Sequence, residues 1–151
     1  MTPTLIDHNE TMYKYLTGCT ALCTALGHTS TVQRIYGPPL GIPRNITEPL
    51  PLLLYSCDGG VGNPDIPMAS LRFSFYLYGR TQAGARTIFR ELFDVLHRKT
   101  RTDVTVSTGV KHLLSWGVLE AGPSDLPEPE LLWPRVYCAF RVRFGEWVEA
   151  W

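Results

Sequence analysis

The segment Met68 to Gly79 constrains the fold most strongly. Leu71, Phe73, Phe75 and Leu77 alternate there with Arg72, Ser74, Tyr76 and Tyr78. A period of two predicts a strand with one apolar face turned to a core and one amphipathic face turned away. After Arg80 the period changes. From Thr81 to Lys99, Ala85, Ile88, Phe89, Leu92 and Leu96 fall on one helical stripe, and His97, Arg98 and Lys99 are placed in the last turn, where positive charge complements the helix dipole. A strand and a helix each apolar on one side must bury those sides against a common layer, so this stretch already implies helix packed on sheet.

The remaining elements follow from the same signals. Leu5, Met12, Leu16, Cys19, Leu22, Cys23 and Leu26 recur at three- and four-residue steps, predicting an amphipathic helix over Leu5 to Leu26 that ends at Gly27. Val32 to Tyr36 is a short strand candidate, and the proline- and glycine-rich Gly37 to Pro43 is a loop. Leu50 to Cys57 is apolar on both faces and predicts a buried strand, followed by a loop from Asp58 to Pro67. Strands are expected at Asp103 to Ser107, Lys111 to Glu120 and Pro134 to Trp147. The last alternates Val136, Cys138, Phe140, Val142 and Phe144 against Arg135, Tyr137, Ala139, Arg141 and Arg143, and it is expected to pair with the strand before it. Between those two, Gly122 to Trp133 carries Asp125, Glu128 and Glu130 among three prolines, as an exposed loop does. The expected fold is α+β, a mostly antiparallel β-sheet with two α-helices packed on it, in a single domain over residues 1–151. A chain of 17.0 kDa buries roughly two-thirds of its surface on folding, enough for one core without staples.

Chemistry-bearing patterns are sparse. The 14 Lys+Arg balance 14 Asp+Glu, which excludes a broad polycationic coat for nucleic acid. Cys19, Cys23, Cys57 and Cys138 have no zinc-finger spacing, and His8, His28, His97 and His112 form no H-x₃₋₅-H pair, so no metal is expected. No basic region leads into an apolar run at the start, and no apolar run is long enough to span a bilayer. Neither a signal peptide nor a membrane span is expected, and the cysteines are expected to stay reduced. Gly59-Gly60-Val61-Gly62-Asn63 lacks the lysine and spacing of a phosphate loop, and Asp125, Glu128 and Glu130 lack the spacing of a calcium loop. No catalytic residue, cofactor or metal ligand is assigned. An enzyme built on Cys57 or Cys138 with a histidine, and a ligand-binding module, are the rival classes.

Interaction residues are easier to nominate. Charge is uneven along the chain: Arg80, Arg86, Arg90, Arg98, Lys99, Arg101 and Lys111 form a basic zone, and the balance turns acidic after it, as in contacts between neighbouring subunits. Arg135, Arg141 and Arg143 line one face of the last strand, suited to carboxylates across strands or subunits. Trp133, Trp147 and Trp151 cluster near that strand, where aromatic anchors serve interfaces. The candidate contacts are therefore Arg80, Arg86, Arg135, Arg141, Arg143, Asp125, Glu128, Glu130, Trp133, Trp147 and Trp151.

The order of segments also carries a resemblance. "RIYGPPLGIP", the proline-led "EPLPLLLYS", the alternating "MASLRFSFYLYGRT" running into the helix "QAGARTIFRELFDVLHRK", and the closing "RVYCAFRVRF" together resemble the tail terminator (tail completion) proteins of long-tailed bacteriophages and related minor tail and neck proteins. The likeness covers about Leu16 to Phe144. It implies an α+β subunit without enzyme activity, assembled as a homo-oligomeric ring, a hexamer in that family, on the last ring of the tail tube. The implied partners are other copies of the chain, the tail tube protein and a head–tail connector or stopper, with DNA present only as it passes through the lumen. The implied location is the virion neck, after assembly in the host cytoplasm. The alternative it implies is a head-side neck protein.

Overall fold

The computed structural model describes residues 8–38, 41–63, 68–99, 102–105, 111–127 and 129–146. Its centre is an antiparallel pair, β3 (Met68–Tyr78) and β6 (Arg135–Glu146), in register from Met68↔Gly145 to Tyr78↔Arg135 without a bulge. Because side chains alternate across a strand, this register places Phe73 opposite Phe140, Phe75 opposite Cys138 and Leu77 opposite Val136 on one face. Edge-on ring contacts join Phe73 to Phe144 at 6.2 Å and Phe75 to Phe140 at 5.7 Å, a geometry aromatic pairs favour.

Around that pair the sheet runs β1 (Ile35–Tyr36), β2 (Leu52–Asn63), β3, β6, β5 (Lys111–Asp125), β4 (Thr102–Thr105), parallel only between β1 and β2. Three helices cover its aromatic face: α1 (His8–Thr17), α2 (Thr20–Leu26) and α3 (Gln82–Leu96). Met12 and Leu16 of α1, Leu22 and Leu26 of α2, and Ala85, Ile88, Leu92 and Leu96 of α3 join the strand residues in one core. Each buried leucine or phenylalanine contributes about 2 kcal/mol of transfer free energy. The fold is α+β. Among the described residues no helix is long and apolar enough to cross a membrane.

Several elements differ from the sequence expectation. The single helix over Leu5 to Leu26 is two: its first residues lie outside the described segment, and Cys19 is extended (φ −87°, ψ 97°) between α1 and α2. The weak helix formers Thr17 and Gly18 concede the break, and the turn brings Leu22 and Leu26 onto the same core as Met12. Gly27 caps α2 in the left-handed region (φ 75°), the place where a residue without Cβ is favoured. The strand expected over Val32 to Tyr36 keeps only its last two residues, and Val32 lies exposed beyond a turn closed by Thr29 N–H donating to Val32 O.

The largest differences are strands that run through their supposed loops. Part of the loop expected from Asp58 to Pro67 belongs to β2, which crosses Cys57 to Gly60 by a bulge, with Gly59 at φ 100°, and pairs with β3 as far as Asn63; residues 64–67 lie outside the described segments. β5 runs to Asp125 through register shifts, with Gly122 at φ 83° against Tyr137 O. The expected loop from Gly122 therefore begins only at Leu126, and of its acidic residues Glu128 lies outside the described residues. The strand expected over Asp103 to Ser107 is described as Thr102–Thr105.

α3 starts as the sequence indicates, with the Thr81 hydroxyl accepting from Gly84 N–H at 3.0 Å. It ends at Leu96, so His97, Arg98 and Lys99 follow the helix rather than form its last turn. Their backbone and ring cover the outer edge of β5: Arg98 N–H donates to Gly117 O at 2.7 Å, and His97 Nδ1 accepts from Leu119 N–H at 3.1 Å. Gly117 is needed for this approach, because a Cβ there would strike Leu96 O. Gly117→Ala is expected to destabilise the protein by about 1–3 kcal/mol, the usual cost of overpacking, read as a lower urea midpoint at unchanged slope.

Candidate interaction surface

Away from the helices the sheet presents the alternate residues of the same strands, and their chemistry divides in two. Near the start of β2 the face is apolar. Leu52, Leu54, Tyr78 and Trp133 are buried together, with Tyr36, Ile42, Ile46, Leu50 and Tyr76 packed against them. Trp133, nominated as an interface anchor, is thus only 8% exposed and packs on its own sheet.

Further along β3 and β6 the face is charged. The register sets Arg72 directly opposite Arg141, a like-charge pair that needs compensation. Glu120 of β5 supplies it, accepting from Arg141 Nε at 2.7 Å and lying 3.7 Å from Arg72 Nε. Asp58, next to the β2 bulge, lies 3.8 Å from Arg72 on the other side and accepts from the Ser74 hydroxyl. Tyr137 OH accepts from Arg72 Nη2 at 3.5 Å. Two more arginines lie over rings, Arg135 over Tyr76 at 5.0 Å and Arg143 over Trp116 at 5.7 Å. The sheet face therefore carries a chain of alternating charges, Asp58–Arg72–Glu120–Arg141, flanked by arginine–aromatic pairs.

One residue of the basic zone and one of the acidic stretch after it meet within the subunit. Arg86 of α3 donates from both Nε and Nη2 to the Asp125 carboxylate, and Gln82 Nε2 adds a bond to Asp125 at 3.0 Å and another to Arg135 O at 3.1 Å. These bonds tie the end of β5 to the start of α3. The Arg86 bonds hold the Asp125 carboxyl below its ordinary value and raise Arg86 in return. Arg80 and Glu130 are exposed and have no ion pair among the described residues. Trp147 and Trp151 lie outside the described residues.

Sequence reasoning thus nominated Arg86, Asp125 and Arg141, which the structure pairs within the chain. It missed Asp58, Arg72, Glu120 and Trp116. Arg72 had a legible signal, its alternate position in β3, whereas Asp58 and Glu120 needed the pairing of four strands. Burial raises the Cys138 and Cys57 thiols above their ordinary value, and neither has a histidine partner among the described residues. A thiolate nucleophile requires the opposite environment.

No family model matches the sequence, and the curated proteins contain no match to it. In three dimensions the chain is similar to a chain in the solved virion of a native gene transfer agent particle, with a TM-score of 0.57, 14% identity, and coverage of 91% of this chain and 93% of that one. At that identity the likeness is one of fold, and it spans both chains almost end to end.

Two outcomes follow from the charges. Glu120→Gln is expected to cost about 1 kcal/mol, since it leaves Arg72 and Arg141 facing each other; the loss shrinks in high salt, as denaturation at two ionic strengths would register. Asp125, with its value lowered in the folded state, stabilises the tie at pH above the ordinary carboxylate value of about 3.9 and loses that contribution as pH falls through its lower folded value. Amide exchange at Leu126, whose N–H donates to Arg135 O, is expected to accelerate over that range. In Asp125→Asn the acceleration should disappear.

Proposed function

We propose that this chain is a structural virion protein and, within that class, a tail terminator: a subunit of a ring that caps the head-proximal end of a phage tail tube. The observation that carries the class is the near-complete likeness of fold to a chain of a gene transfer agent virion. The sequence resemblance to tail terminators supplies the finer assignment. In this reading one face of the ring binds tube protein and stops its growth, and the other is recognised by the head-side connector. The protein is not an enzyme, a reading supported by raised thiols at Cys57 and Cys138. Its other partners are copies of itself, and DNA only passes through the lumen.

The test is deletion of the coding sequence from the genome that produces the particle, followed by negative-stain electron microscopy. Overlong tails of uneven length beside filled, tailless heads are the expected result, because tube growth has lost its stop. Tails of normal length that fail to join leaking heads would move the protein to the head-side neck. Intact particles would overturn the virion assignment.

A further inference from the structure

Most large apolar side chains exposed on the described chain lie in one short stretch. Leu126, Leu131 and Leu132 are 47%, 52% and 75% exposed, with Val32 and Trp116 the others. The stretch is held firmly at both ends. Leu126 is joined to Arg135 by its N–H, and its carbonyl accepts from Arg135 Nε at 2.8 Å; Trp133 is buried on the sheet. Between these anchors Leu132 adopts φ 57°, a left-handed conformation that leucine rarely takes. The backbone is thus set to present Leu131 and Leu132 as an outward ridge beside the exposed Glu130, a preorganised feature whose solvent exposure has no benefit within the monomer.

A second feature answers it in size and sign. Beside β1, Val32, Gln33, Arg34, Tyr36, Asn45, Ile46 and Leu50 are among the residues lining an open cavity of about 530 Å³. Arg34 fixes the charge of this cavity. Its backbone is engaged, with N–H donating to His28 Nδ1 at 3.0 Å and O accepting from Leu53 N–H. Its Nε is buried with no hydrogen-bond partner among the described residues, an unmet donor of the kind that folded proteins rarely leave.

We propose that these two features are the two halves of one head-to-tail contact: the Leu131–Leu132 ridge of one copy seats against Val32, Ile46 and Leu50 of the next, and Glu130 meets Arg34. The contact joins two different patches, so copies related by a closing rotation would form a ring through it. It rests on the ring reading and names the residues that would form the ring.

The test is sedimentation of the full-length protein over a range of concentrations, with two variants. Leu131→Ser/Leu132→Ser removes the ridge, and Ile46→Arg fills the cavity and opposes Arg34; circular dichroism establishes that each is folded. Wild type is expected to associate beyond a dimer, and each variant alone to sediment as a monomer. Mixed in equal amounts, the two variants are expected to form a dimer and nothing larger, since one retains an intact cavity and the other an intact ridge. Glu130→Gln should weaken association several-fold, with less dependence on salt. Variants that assemble like wild type would overturn the contact while leaving the ring reading in place. A wild type that stays monomeric at every concentration would also overturn the contact, and the deletion phenotype above would then decide the ring reading separately.

Discussion

The uninterrupted register between β3 and β6 is the constraint on which the other features depend. All 11 residues of β3 pair with β6, so both faces of the sheet are defined at once. A slip of one residue would carry Arg72 and Arg141 into the layer of Phe73 and Phe140 and expose the phenylalanines. Like-charged arginines facing each other are tolerable because Glu120, at a register shift of β5 alongside β6, lies within reach of both. Irregularity is displaced to the flanking strands. The bulges of β2 and β5 adjust strand direction without moving the central pair.

The elements legible in the sequence were those whose apolar period matches what they bury against. β3 and α3 are amphipathic at a single period, and both formed close to the expected bounds. The strands that overran their expected ends share one cause, the influence of distant pairing on local signals. Asp58-Gly59-Gly60 and Gly122-Pro123 carry turn chemistry, yet β3 and β6 continue alongside them and recruit them as bulged strand. The N-terminal helix kept its apolar spacing but broke at Gly18 and Cys19, since spacing at three and four residues does not report where a helix stops. At the surface, Arg141 was visible as a charged strand position. The Asp58–Arg72–Glu120–Arg141 chain was not, because four different strands contribute to it. Trp133 illustrates the converse. Its type suggested an anchor, and only the fold could show that the anchor is spent on the chain's own sheet.

The sheet edges bear on how such a subunit associates. Exposed end strands invite backbone pairing with a neighbour, but this sheet blunts much of its edge. β1 is 2 residues long and β4 is 4. Beyond β4, the outer side of β5 is engaged by Arg98 N–H at Gly117 and His97 at Leu119, and Pro123 further on has no N–H to offer. On the opposite edge β2 leaves β1 and enters its bulge. Association through side chains is therefore favoured over strand addition along most of the perimeter.

A side-chain interface of the kind proposed does not require a strongly charged composition, and this chain is neutral overall. One member of the basic zone, Arg86, is matched to Asp125 inside one subunit, and Arg80 stays exposed without an ion pair among the described residues. Two local features stand out instead: a ridge of exposed leucines beside Glu130, and a cavity of mixed polar and apolar lining that holds Arg34, whose Nε is buried with no hydrogen-bond partner among the described residues. The two lie on different segments of the chain that flank one apolar cluster, that of Leu52, Leu54, Tyr78 and Trp133. Under the proposed contact, assembly closes into a ring only if the rotation between copies avoids the reciprocal two-fold arrangement, since a heterologous contact is what a closed ring requires.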